Sequence, residues 1–171
     1  MKVLYLLRHA KSGPAERGED DHARSLTGRG HRAADLVGEL LETRPEAPEL
    51  VLCSSSRRTR ETLAHVLDRL SARPRVEIDP GLYLADRDVL LSRVRELPEE
   101  VEHALLVGHN PGIAELARYL ATKGPAELLE NLRRKFPTAA LAILRLEGAR
   151  WRDVQRGARL DVFALPRARV R

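Results

Sequence analysis

Two histidines and two arginines stand shortly after apolar segments of the chain. Arg8 and His9 follow the first segment, Arg58 lies a few residues beyond the second, and His109 directly follows another. Guanidinium groups offer paired donors that match phosphoryl oxygens, and an imidazole can attack phosphorus as a covalent nucleophile. A second imidazole can stabilise the charge that moves during transfer. Together these residue types predict phosphoryl chemistry without a metal ion, since arginines can supply the positive charge.

The apolar segments predict where these side chains lie. Residues 3–7, 49–53 and 104–108 are short apolar runs, which are typical of buried parallel strands. Open parallel sheets bind ligands at the carboxyl ends of their strands. We therefore expect the three strand ends to meet at one edge of a sheet. Asn110, next to His109, is expected to shape the loop there.

The rest of the chain alternates helices with further strands. Apolar residues recur at helical spacing after Thr27 and after Asp86, and both residues are plausible N-caps. The pattern predicts an α/β fold, a three-layer sandwich whose mostly parallel central sheet is flanked by helices, in one domain spanning 1–171. Helices are expected at 27–41, 57–70, 89–97, 111–120 and 126–135, further strands at 75–78, 139–146 and 151–155 (the last antiparallel), and a frayed basic tail at 167–171.

Composition excludes several classes of protein. The chain has 171 residues, of which 43% are apolar and 32% charged, and its net charge of +5 favours anionic partners. It has no long Lys/Arg tract and few aromatic residues, so nucleic-acid binding is not expected. Cys53 is the only cysteine, which excludes an intramolecular disulfide and a cysteine-based zinc site. No segment reaches transmembrane length, so we expect a cytoplasmic protein without membrane partners. We also expect no cofactor and no metal, and we take a monomer as the default.

Three motifs in order along the chain give a family resemblance. They are Leu7-Arg8-His9, Ser54-x-x-x-Arg58-x-x-x-Thr62 and Gly108-His109. This pattern resembles the histidine phosphatase superfamily, whose fold is phosphoglycerate-mutase-like. The segments at 24–30, 108–112 and 136–138 look like those of its small SixA-type branch, the phosphohistidine phosphatases.

The resemblance implies a role for each residue. His9 is the nucleophile that forms a phosphohistidine intermediate, while Arg8, Arg58 and His109 bind the phosphoryl group and stabilise its transfer. Arg24 aligns with a loop arginine near the phosphate. The implied activity is a metal-independent phosphatase acting on phosphohistidine in proteins. Two alternatives stay open: a broad or small-molecule phosphomonoesterase with the same site, and a non-catalytic phosphate-binding module.

Two departures from the family pattern stand out. Ala10 follows His9 where the superfamily usually has glycine, and alanine there is costly only if its φ is positive. Larger members place an acidic residue after the third strand, but the segment 79–86 offers no clear match, which leaves Asp86 and Asp21 as candidate general acids. General acid help is worth about 10²–10⁴-fold, so its absence favours a phosphoramidate such as phosphohistidine over sugar phosphates.

Overall fold

The computed structural model describes residues 1–166, and the predicted basic tail at 167–171 lies outside the described residues. The described residues form seven strands: β1 (Lys2–Arg8), β2 (Leu50–Ser54), β3 (Arg75–Asp79), β4 (His103–Gly108), β5 (Ala121–Lys123), β6 (Leu141–Leu146) and β7 (Ala158–Ala164). They also form five α-helices: α1 (Gly28–Glu42), α2 (Arg57–Arg69), α3 (Arg87–Arg95), α4 (Gly112–Leu120) and α5 (Ala126–Arg134). Short 3-10 helices span Asp21–Ala23, Pro80–Leu82 and Trp151–Asp153.

All seven strands belong to one mixed sheet with the order β3-β2-β4-β1-β6-β7-β5. Four of the six neighbouring pairs are parallel, and the antiparallel pairs are β1 with β6 and β6 with β7. The three apolar runs are therefore adjacent parallel strands, as the sequence predicted. In the register of β1 and β4, Arg8 lies opposite Gly108, so these two strands end at the same height.

Helices cover both faces of the sheet. Alternate residues of β1 point to opposite faces: Leu4 and Leu6 pack in a core with α3, α4 and α5, while Tyr5 and Leu7 pack in a core with α1 and α2. This arrangement confirms the predicted three-layer architecture. None of the helices within residues 1–166 combines the length and the apolar character that a membrane span requires.

Side-chain caps determine where three of the helices begin. Thr27, Ser56 and Asp86 each accept a hydrogen bond from the backbone N–H three residues later, at 3.1, 3.3 and 2.9 Å. Such caps are worth about 1 kcal/mol each because they satisfy donors that the first turn leaves unpaired. The predicted N-caps Thr27 and Asp86 are confirmed.

The strand predicted at 151–155 is wrong. Trp151 begins a 3-10 helix, and the next strand that pairs antiparallel with β6 is β7, which the sequence did not predict, nor did it predict β5. The 3-10 turn brings Trp151 and Val154, three residues apart, to the same side, and both are fully buried. The indole N–H of Trp151 also donates to the carbonyl of Val101 at 2.6 Å, so burial of this ring outweighs the local β propensity.

Cys53 is fully buried in β2, between β3 and β4. Burial raises the pKa of its thiol to about 12. The thiol therefore stays protonated at neutral pH.

The first turn of α1 packs directly against the segment that follows His9. A Cβ atom on Gly30 would lie 2.1 Å from the carbonyl oxygen of Lys11. That same oxygen accepts a hydrogen bond from the backbone N–H of Thr27 at 2.9 Å. Only a residue without a side chain allows the helix to approach so closely, and this contact holds the segment after β1 in place.

We expect Gly30→Ala to destabilise the protein by about 1–3 kcal/mol, because the new methyl group has to push α1 away from Lys11. Urea unfolding followed by circular dichroism measures this change. Gly13→Ala is the matched control: its Cβ would meet only a Thr27 methyl group at 3.9 Å, and we expect a change within about 0.5 kcal/mol. Equal stability of both variants would contradict the close packing of α1.

Candidate active site

A pocket of about 360 Å³ opens at the carboxyl ends of β1, β2 and β4. It brings together all four residues that the strand-end argument singled out, Arg8, His9, Arg58 and His109. Eleven residues line it in total: Arg8, His9, Lys11, Ser12, Asp21, Arg24, Arg58, Leu84, His109, Asn110 and Thr138.

His9 is held in one orientation and kept neutral. Its side chain is only 7% exposed, and Nδ1 lies 2.8 Å from the carbonyl oxygen of Ala10. A carbonyl can only accept, so Nδ1 carries the proton and Nε2 keeps a free lone pair. Burial, reinforced by the charges of Arg58 and Arg8, lowers the pKa of His9 to about 4 despite the opposing hydrogen bond to Ala10. Ala10 has no positive φ, so the alanine in place of glycine is tolerated without backbone strain.

His109 faces His9 across the pocket. The two ring centroids are 5.3 Å apart, and His109 is only 2% exposed. Its Nε2 lies 2.7 Å from Ser54 Oγ, and its Nδ1 lies 3.4 Å from Nη2 of Arg58. Burial, followed by the neighbouring His9 and Arg58, lowers the pKa of His109 to about 3. Both imidazoles are therefore neutral at neutral pH.

Two guanidinium groups supply positive charge from different strand ends. Arg58 is 3% exposed, whereas Arg57 points outward and pairs with Glu61 at 2.6 Å. Arg8 donates from Nη1 to the carbonyl of Phe136 at 3.2 Å, but its Nε is buried without a partner. Burial and the nearby Arg58 lower the pKa of Arg8. An anion in the pocket would relieve this crowding of positive charge.

Asp21 is the carboxylate of this pocket. It accepts hydrogen bonds from Arg58 Nη2 at 3.0 Å, from Arg24 Nη1 at 2.8 Å and from the hydroxyl of Tyr83. The hydrogen bond from Tyr83, followed by those from Arg24 and Arg58, holds the pKa of Asp21 far below its usual range. This carboxyl group is therefore ionised at neutral pH and fixes the orientation of both arginines.

Asp86, the other candidate acid, lies elsewhere. Its side chain caps α3 by accepting from the backbone N–H of Val89, and it is not among the residues that line the pocket. Arg24, in contrast, lines the pocket and is held in place there: besides Asp21 it donates to the Gly13 carbonyl at 2.8 Å and to Ser12 Oγ at 2.9 Å.

Tyr83 is the main contact that sequence reasoning missed. Besides its bond to Asp21, its ring packs edge-on against His109, with centroids 5.4 Å apart, and lies under the Arg58 guanidinium at 5.8 Å. Tyr83 follows β3, the next parallel strand in the sheet, so the same strand-end argument applied to aromatic residues would have found it. Tyr83 contacts lining residues but does not itself line the pocket, whereas four lining residues that the sequence did not indicate stand on loops: Lys11, Ser12, Leu84 and Thr138.

Asn110 does more than shape its loop. It lines the pocket, and its Nδ2 donates to the carbonyl of Phe136 at 2.8 Å, the same oxygen that Arg8 contacts. Its Oδ1 is buried without a partner. Within residues 1–166, no group of three or more His, Cys, Asp or Glu side chains is arranged to hold a metal ion.

Sequence comparisons identify the family and a related protein. The model of the histidine phosphatase superfamily (branch 1) matches residues 4–86. An uncharacterised protein of Mycobacterium leprae is 36% identical over 166 residues, which cover 94% of this chain and 100% of that relative.

Comparison with solved structures identifies the branch of the family. A protein from Nakamurella multipartitia assigned as the phosphohistidine phosphatase SixA is 32% identical, with a TM-score of 0.85 and coverage of 98% of this chain and 97% of that one. A protein from Agrobacterium tumefaciens with the same assignment is 30% identical, with a TM-score of 0.82 and coverage of 96% and 98%. The chain therefore belongs to the SixA-type branch of the histidine phosphatase superfamily.

Proposed function

We propose that this phosphatase removes the phosphoryl group from phosphohistidine in proteins, with His9 as the covalent nucleophile and without a metal ion. The observation that carries the proposal is the tautomer of His9. Its Nδ1 proton is bound to the Ala10 carbonyl, so the lone pair of Nε2 is available in a pocket lined by arginines. A binding module would need the arginines but no neutral, oriented imidazole.

In the first step, Nε2 of His9 attacks phosphorus, and the bond between phosphorus and the substrate imidazole breaks. The electron pair of that bond stays on the departing imidazole, which takes a proton. Arg8 and Arg58 bind the phosphoryl oxygens, and His109, whose ring faces His9 across the pocket, helps to stabilise the transfer. Arg24 supports the same oxygens from the loop that carries Asp21.

In the second step, water attacks the phosphorus of phospho-His9. The bond to Nε2 breaks, inorganic phosphate leaves, and the electron pair returns to Nε2. His9 is neutral again, in the state that its lowered pKa favours. The reaction needs no further reactant besides water.

The choice of a phosphoramidate rests on the ionisation of Asp21. It is the only carboxyl group that lines the pocket, and three hydrogen-bond donors hold it ionised. A group that is ionised cannot protonate a leaving alkoxide, and losing such help costs about 10²–10⁴-fold in rate. The imidazole of phosphohistidine can take its proton from solvent, so this pocket suits it better than a sugar phosphate.

A labelled phosphohistidine protein tests the nucleophile. Wild-type protein should acquire a transient acid-labile phosphate and release it, also in the presence of EDTA. His9→Ala should lose both the label and at least about 10³-fold in kcat, because no other side chain replaces the nucleophile. His103→Ala, at the opposite end of β4, is the control and should keep both.

Two results would overturn this proposal. Wild-type protein that binds phosphate but never turns over the substrate would support a phosphate-binding module. Faster hydrolysis of sugar phosphates than of phosphohistidine proteins would support a small-molecule phosphomonoesterase.

The pH dependence of His9 gives a second test. Because burial lowers its pKa to about 4, the ring should stay neutral as pH falls from 8 to about 5 and become protonated only near pH 4. Nitrogen-15 NMR of the imidazole, assigned by the signal lost in His9→Gln, should show the proton on Nδ1 throughout that range. A midpoint near the usual value of about 6.5 would contradict the burial argument.

Paired substitutions distinguish the two aspartates. Asp21→Asn should lower kcat/KM by about tenfold on aryl and alkyl phosphates alike, because it weakens the charged contacts that orient Arg58 and Arg24. Asp86→Asn should leave kinetics unchanged, since asparagine caps a helix as well as aspartate does. A loss for Asp21→Asn that grows with the basicity of the leaving group would instead identify Asp21 as a proton donor.

A further inference from the structure

A second pocket of about 300 Å³ adjoins the pocket that contains His9, which we call the phosphate pocket. We call it the side pocket, and define it by its lining residues: Lys11, Arg29, Ala33, Pro137, Thr138, Leu165 and Pro166. Lys11 and Thr138 line both pockets, so the two spaces share a wall. The side pocket is therefore a neighbouring space for a group attached to a phosphoryl group bound at His9.

The side pocket carries positive charge that no carboxylate among the described residues balances. Lys11 and Arg29 are both exposed, and no carboxylate among residues 1–166 lies within ion-pair distance of either. Other arginines on this protein are compensated, as Arg93 is by Asp79 at 2.8 Å and Arg145 by Glu46 at 2.8 Å. The lining of the side pocket contains no acidic residue. Its charge is therefore available to an anionic ligand.

The remaining wall of the side pocket is apolar. Leu165 is 41% exposed, so its side chain offers apolar surface to a ligand in the side pocket. Pro137 and Pro166 extend this apolar surface beside it. An apolar surface next to two cations matches a short polypeptide segment that presents an acidic and an apolar side chain, better than it matches a fully polar sugar.

We propose that the side pocket binds the segment of the phosphorylated protein next to its phosphohistidine, with an acidic side chain between Lys11 and Arg29 and an apolar one against Leu165. This inference rests on the proposed function, because it takes the leaving group to be a protein. The charge of Lys11 and Arg29 and the apolar contact with Leu165, both in the side pocket, would then determine which phosphorylated segments the protein prefers. Phosphohistidine segments with acidic neighbours would then be dephosphorylated faster than segments with basic neighbours.

Charge reversal at Arg29, which lines only the side pocket, tests this inference. Arg29→Glu should raise KM about tenfold for a phosphohistidine protein with acidic residues beside the phosphohistidine, measured at low ionic strength, because attraction becomes repulsion. The effect on phosphoimidazole, a substrate without a polypeptide, should be several-fold smaller. Arg29→Lys keeps the charge and should restore most of the affinity.

Two matched variants complete the experiment. Arg152→Glu makes the same charge change on an exposed residue of the 3-10 helix at the other end of the sheet, and should not raise KM for the protein substrate. Leu165→Asp should raise KM by removing the apolar contact, and it tests the side pocket even if Arg29→Glu fails to fold. Neutralising the acidic neighbours in the substrate should weaken binding to wild-type protein but not to Arg29→Glu.

Each outcome has a defined meaning. If Arg29→Glu and Arg152→Glu raise KM equally, the side pocket is not a binding site. If Arg29→Glu raises KM equally for phosphoimidazole and for the protein substrate, the side pocket binds small leaving groups and not a polypeptide segment. If wild-type protein turns over the phosphohistidine protein while Arg29→Glu and Leu165→Asp leave KM unchanged, only this inference fails. If wild-type protein does not turn over that substrate at all, the proposed function fails with it.

Discussion

The parallel pairing of β1 with β4 determines the height at which the two histidines stand. Its register sets Arg8 opposite Gly108, and the backbone N–H of His9 continues the pairing by donating to the Gly108 carbonyl at 3.1 Å. On the other side of β4, β2 leads into the helix that carries Arg58. Backbone hydrogen bonds, rather than contacts between the active-site side chains, thus bring the four residues together. Helices bury both faces of the sheet that carries these strand ends.

Electrostatics in the pocket follow from burial. Removing imidazoles from water favours their neutral form, and the neighbouring guanidinium groups favour it further. Four cationic side chains line the pocket against a single carboxylate, Asp21. The folded protein therefore maintains an excess of positive charge next to two uncharged rings. A phosphoryl dianion would offset most of that excess.

The sequence was most informative where one residue type has one physical role. Continuous apolar runs identified β1, β2 and β4, and the polar residues that end them identified Arg8, His9 and His109. It failed where tertiary contacts outweigh local pattern. Trp151 belongs to a buried turn because its ring fills the core and its N–H finds a carbonyl, and neither fact is visible in local β propensity. Tyr83 was missed because the family pattern places an acidic residue after β3. In this protein the hydroxyl of Tyr83 stands there instead and donates to Asp21, an acidic residue of another loop.

The state of Cys53 has a consequence for the chemistry that the protein can sustain. Oxidants such as peroxide attack thiolates, and this thiol is kept protonated and out of reach inside the sheet. The nucleophile that we propose is an imidazole, which peroxide does not convert into a sulfenic acid or a disulfide. With His9 as the nucleophile, phosphoryl transfer would therefore continue under oxidising conditions that inactivate phosphatases with a reactive cysteine.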